Sequence, residues 1–166
     1  MSIFPTRILL ATDGSEATVQ ATLRAVDVAY ETDSELHVVH VGVVPPLPVS
    51  YPGTVGYAYK LYEQIEEESR QLLRKLSWQV QATGGTVSGA HLRVGVVDRE
   101  IVALAKELEV GLIVMGCRGH RGIRRAIEGS ISDAVIRHAP CPVLVVRSHE
   151  GAEAPEQHPI APMGDR

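Results

Sequence analysis

The stretch GCRGHRGIRRAIEGS, residues 116–130, sets four glycines and four arginines between two apolar runs. Its spacing is G-x2-G-x9-G-S, carried by Gly116, Gly119, Gly129 and Ser130. Glycine lets backbone N–H groups turn toward a ligand and approach it closely, and a helix starting just after the last glycine adds unpaired donors and a partial positive charge. These are the parts of a phosphate cradle. Arg118, Arg121, Arg124 and Arg125 can add charge-assisted bonds to a polyphosphate, although an insert of nine residues holds only some of them close. A plainer reading uses the same residues: glycines that make turns, solvated arginines, and Ser130 with Asp133 as an S-x-x-D capping box. The two readings are compatible, because one hydroxyl can cap the empty helix and face a phosphate when a ligand is bound.

RILLATDGSE supplies a second candidate, Asp13, at the end of an apolar run and followed by Gly14 and Ser15. A carboxylate there repels phosphate but accepts hydrogen bonds from ribose hydroxyls or a base; alternatively Asp13 or Ser15 only caps the next helix. Neither G-x-G-x-x-G nor a G-K-[ST] P-loop occurs in the chain.

The elements that must position these residues alternate along the chain. Strand-like runs occur at 7–12, 35–41, 86–94, 111–116 and 142–147, several of them apolar without alternation, as in strands covered on both faces. Helical spacing separates them: Val19, Leu23, Val26 and Tyr30; Ile65, Leu72, Leu76 and Val80; Ile101, Leu104, Ala105 and Leu108 behind Asp98 as N-cap; and Ile131, Ala134, Val135 and His138. The predicted fold is α/β, a Rossmann-like open five-stranded parallel sheet with helices on both faces. In such a sheet ligands settle at the carboxyl ends of the strands where the order reverses. Residues 43–59, with four prolines and a tyrosine cluster, read as a mobile loop, and 148–166 as a disordered tail.

Composition narrows the function classes. With 166 residues, 45% hydrophobic and 22% charged, one domain with a real core is expected. A formal charge of -4 argues against general affinity for nucleic acid or acidic membranes. No apolar run approaches the roughly 20 residues of a spanning helix. Cys117 and Cys141 form neither CxxC nor a metal-ligand spacing, and no signal peptide is recognised, so a reducing cytoplasm is expected.

ILLATDGSE, GLIVMGCRGHRG with its G-x2-G-x9-G-S spacing, and GSISDAVIRHAPCPVLVV together resemble the universal stress protein family, in its ATP-binding branch. The resemblance covers about residues 5–147, giving a nucleotide-binding domain over 1–147 and a tail over 148–166. It implies that Asp13 contacts the adenosine part and that Val41 meets adenine through its backbone, with Ala11 and Thr12 in the same turn. It implies further that Met115, Gly116 and Gly119 line the ribose and phosphate path, and that Gly129, Ser130 and Ile131 hold the phosphates. Position 11 is often proline in the family; Ala11 removes some rigidity but no hydrogen-bonding group. The implied ligand is ATP, with Mg2+ or Mn2+ held mainly by its phosphates, and the implied assembly is a homodimer through strand 142–147, acting as a nucleotide-dependent stress-response module on a protein partner that the residues do not identify.

The rival is a slow ATPase or phosphoryl-transfer enzyme, which needs a base or water-positioning residue and usually a protein-held magnesium ion. His120 is within reach of a phosphate but reads more simply as a solvated loop histidine, and no catalytic residue is assigned. A redox role for Cys117 beside Arg118 is chemically open but reads more simply as packing.

Overall fold

The computed structural model describes residues 6–15, 17–45, 54–117 and 131–147. Residues 46–53 of the proline-rich stretch, the glycine–arginine loop beyond Cys117, and the tail lie outside the described residues. The elements run β1 (Arg7–Ala11), α1 (Ala17–Thr32), β2 (Glu35–Gly42), α2 (Thr54–Ala82), β3 (Val87–Val94), α3 (Val97–Glu107), β4 (Leu112–Cys117), α4 (Ile131–His138) and β5 (Val143–Arg147). The sheet is parallel throughout, with strand order β3-β2-β1-β4-β5. This is the expected open α/β fold.

Strand alternation divides the core into two layers. Leu9, Ala11, Val39, Val41, Ile113 and Met115 face α3 and α4, packing on Ile101, Leu104, Ala105 and Val135. The residues between them, Ile8, Leu10, Leu36, Val38 and Val114, face α1 and α2 and pack on Ala21, Ala25, Val26, Leu73, Leu76 and Val80. Covering on both faces is why β1 and β4 read as unbroken apolar runs.

Three local features depart from the sequence reading. The helix predicted over α1 is present, but Val19, Leu23 and Tyr30 are exposed, and of the predicted row only Val26 is buried. The face turned to the sheet is instead Thr18, Ala21, Thr22, Ala25 and Val26. Small side chains let the helix axis approach the sheet closely, and the buried hydroxyls are satisfied locally: Thr22 donates to the Thr18 carbonyl at 3.0 Å and Thr18 to the Ser15 carbonyl at 2.7 Å. Next, α2 begins at Thr54, so residues 54–59 of the predicted loop are helical. No proline lies between Pro52 and Pro140, which leaves the backbone ladder free to run unbroken toward the anchoring residues Ser69, Leu73, Leu76 and Val80. Finally, the N-cap of α3 is Val96 rather than Asp98, and it makes no side-chain cap bond. Asp98 lies inside the first turn, where with Glu100 its charge complements the helix dipole.

Candidate functional site

The chain leaves β1 toward α1 on one face of the sheet and leaves β4 toward α4 on the other. Between these neighbouring strands a crevice opens at their carboxyl ends, where the strand order reverses. In a parallel α/β sheet the helices return antiparallel to the strands, so the amino-terminal ends of α1 and α4 lie at this same edge and give it a partial positive charge.

Three of the predicted residues form the floor. Ala11 pairs in register with Val39 on β2 and with Met115 on β4, and Val41 lies two residues further along β2. Ala11, Val41 and Met115 are 6%, 8% and 5% exposed and pack in the same layer against α3 and α4. Their side chains are therefore committed to the core, and what they present at the strand ends is backbone and a shallow apolar surface. Gly116 follows on β4, paired with Val146, and the strand continues one residue beyond the predicted end to Cys117.

The rim is the turn after β1. Thr12 is buried; its N–H donates to the Val39 carbonyl at 3.1 Å, and its hydroxyl oxygen accepts from the Gly14 N–H at 3.3 Å. Asp13 Oδ1 accepts the Ser15 N–H at 2.9 Å, which closes an Asx-turn into α1. Gly14 suits this turn because its φ is +75°; a Cβ there would also stand 2.7 Å from Leu72 Cδ1 of α2, the flexible end of that side chain. The side-chain oxygen of Ser15 is buried and has no hydrogen-bond partner among the described residues. A buried polar atom left in this condition at the mouth of a crevice marks a place for a polar ligand or water.

Two contributors are not evident as site residues in the sequence. Ser15 reads there only as a cap. His40 belongs to no motif, yet its Nδ1 stands 3.0 Å from the Thr12 carbonyl oxygen, which can only accept, so the proton is on Nδ1. The bond ties the end of β2 to the end of β1. A signal was available: Leu36, Val38 and His40 share one face by strand alternation, and a polar residue ending an otherwise apolar row at a strand terminus needs a partner.

Of the other predicted residues, Ile131 is the first residue of α4 and is 39% exposed. Asp133, in the first turn, pairs with Arg137 at 2.8 Å. Gly119, Gly129 and Ser130, together with the loop arginines and His120, lie outside the described residues. The thiol of Cys141 is half-buried, and burial pushes its pKa up, only partly opposed by a hydrogen bond to the Ile113 backbone. Among the described residues no helix is long and apolar enough to cross a membrane, and no three or more His, Cys, Asp or Glu side chains are grouped to hold a metal ion.

Comparison with known proteins agrees with this architecture. A universal stress protein of Methanocaldococcus jannaschii is 34% identical over 141 residues, which cover 85% of this chain and 81% of that one. Among solved structures, a universal stress protein from Lactobacillus plantarum superposes with a TM-score of 0.72 at 26% identity, over 88% of this chain and all of that one (100%). Another, solved in complex with cAMP, gives a TM-score of 0.62 at 25% identity, over 86% of this chain and 96% of that one. The model of the universal stress protein family matches residues 5–147, and the chain belongs to that family.

Proposed function

We propose that this protein binds ATP in the crevice at the carboxyl ends of β1, β2 and β4 and acts as a nucleotide-dependent regulatory module in the stress response. The observation that carries the reading is the convergence at the strand-order reversal: Thr12, Asp13 and an orphaned Ser15 hydroxyl stand on one side, and Met115 and Gly116 open the glycine-spaced loop on the other. A relative of the same fold crystallised with cAMP supports an adenine nucleotide as the ligand class.

Asp13 accepts a hydrogen bond from the nucleoside while holding the Ser15 N–H, and the Val41 backbone meets the base over the floor formed with Ala11. Met115, Gly116 and Gly119 border the ribose and phosphates, and Gly129, Ser130 and Ile131 at the start of α4 receive the phosphates. Mg2+ or Mn2+ accompanies the ligand on the phosphates. Two protomers pair through their β5 strands, which form one open edge of the sheet.

Titration calorimetry with ATP and with adenosine tests the division of labour. A charged acceptor lost to the nucleoside costs about 1.5–3 kcal/mol. Asp13→Ala is therefore expected to weaken both ligands by a similar factor of about tenfold or more. Unchanged adenosine affinity in a folded Asp13→Ala protein contradicts the role given to this residue.

A further inference from the structure

The β3 edge of the sheet carries a second recognition feature, independent of the nucleotide reading and one strand beyond Val41 of the crevice floor. β3 pairs with β2 alone among the described residues, so one side of its backbone has no strand neighbour. The direction of that free side follows from one bond. Gly95 donates its N–H to the Gly42 carbonyl at 3.0 Å, which turns the backbone of Gly95, and by alternation that of Arg93, toward β2. The N–H and C=O groups of Ala90, Leu92 and Val94 then point outward.

At the carboxyl end of β3 lies an open surface channel of about 440 Å³. Tyr62, Glu66 and Arg70 of α2 form one wall, Leu92 and Val94 the base, and Glu100 of α3 the other wall. The charges along it are not equivalent. Arg70 is paired with Glu66, and Arg93, which also borders the channel, with Glu107. Glu100 has no ion pair among the described residues. The uncompensated charge in the channel is thus a carboxylate. Its position beside a row of outward backbone donors and acceptors selects a ligand with the complementary row and a cation at its side.

The geometry points to a peptide-docking site: an extended segment of a partner protein, bearing a lysine or arginine, adds to β3 as a sixth strand and sets its cation on Glu100. The main chain supplies affinity, and the walls read alternate side chains, with Glu100 on the α3 side and the Tyr62 ring on the α2 side.

The test uses the full chain, labelled with nitrogen-15, titrated with the capped peptide acetyl-Val-Lys-Val-Lys-Val-amide, with its Glu counterpart, and with a version of the Lys peptide N-methylated at alternate residues. The Lys peptide is expected to shift the amide signals of Ala90, Leu92 and Val94 and to slow their hydrogen exchange; the Glu and N-methylated peptides are expected to bind more weakly. Glu100→Gln changes one partly buried residue on α3, and circular dichroism checks that it folds. It should weaken the Lys peptide about threefold, the scale of an exposed ion pair, and leave an acetyl-Val-Thr-Val-Thr-Val-amide control unaffected. No shifts at millimolar Lys peptide, shifts located away from β3, equal binding of the Lys and Glu peptides, or shifts at β3 that follow protein concentration instead of peptide would each overturn the proposal, the last by making a second copy of the chain the occupant.

Discussion

The centre and the edges of this sheet are built to opposite rules. In β1 and β4, Ile8, Leu9, Leu10, Ile113 and Val114 are fully buried, sealed by helices on both faces. In β3 no residue is fully buried, and in β5 Leu144 is 37% exposed. A strand sealed on both faces can offer a ligand nothing along its length, only at its end, and Thr12, Asp13 and Gly116 all lie at the carboxyl ends of the two central strands. An edge strand keeps a row of backbone groups for another chain. The centre therefore holds the fold and places the crevice, while the edges keep backbone groups without a strand neighbour among the described residues.

The contrast is broken most directly by equivalent truncations in the two regions. Ile113→Ala, at a site with no exposure, should lower unfolding free energy by about 3–4 kcal/mol through lost transfer energy and the residual cavity. Leu144→Ala on β5 should cost about 1 kcal/mol or less, since much of its side chain is already in water. Urea denaturation of both variants gives the comparison, and similar losses would refute it.

A smaller effect is expected at the turn that carries the rim. Gly14→Ala puts a Cβ on a residue with φ of +75° and against Leu72, whose flexible end can move aside. About 1–2 kcal/mol should be lost, mainly from backbone strain. A stabilised Gly14→Ala protein would show that this turn relaxes without cost.

At the β3 edge the sharpening variable is pH. His91 Nε2 lies 3.1 Å from Nδ1 of His37 on β2, and Nε2 of His37 lies 3.6 Å from the Glu35 carboxylate, which is itself held by Arg7. Burial, then the nearby His37 and Arg93, lower the His91 pKa, against a weaker opposing pull from Glu107. The folded chain thus takes up the His91 proton less readily than the unfolded one. Its contribution to stability is complete above the ordinary histidine value of about 6.5 and is lost as pH falls from there through the lowered folded value. Melting temperature should decline on acidification from pH 7.5 to 5.5, and His91→Gln should decline less. Parallel declines would remove His91 as the cause.

The smallest effect concerns Cys141. Its raised pKa leaves little thiolate at neutral pH, so a disulfide reagent should modify it more slowly than free cysteine. Modification of the Cys117→Ser protein at the rate of free cysteine would contradict the burial.

Much of this was legible from residue order. Apolar runs such as RILLA and LIVM are diagnostic of strands covered twice, and the intervening spacing gave helices in every expected place. The errors share a physical origin. Val19, Leu23 and Tyr30 satisfy helical period as well as Ala21 and Ala25 do, and periodicity weighs large side chains over the small ones that close packing selects. Asp98 is a good capping residue by type, but the chain enters α3 through Val96, and only tertiary path decides that. Of the crevice rim, Asp13 was visible because a carboxylate is unusual at a strand end. The Thr12 to His40 bond was not, because two residues 28 apart meet only once β1 and β2 are in register.

The central claim is that a nucleotide binds where β1 and β4 diverge, with its phosphates against the glycine-spaced loop. It is tested most directly by titration calorimetry of ATP into the parent protein and Gly119→Val, with circular dichroism and a sizing column to show that the variant is folded. A valine at position 119 occupies the space assigned to the phosphates. The account predicts a saturable ATP titration in the parent and none in a folded Gly119→Val protein. ATP binding of equal strength in both, or absence of binding in the parent, would contradict it.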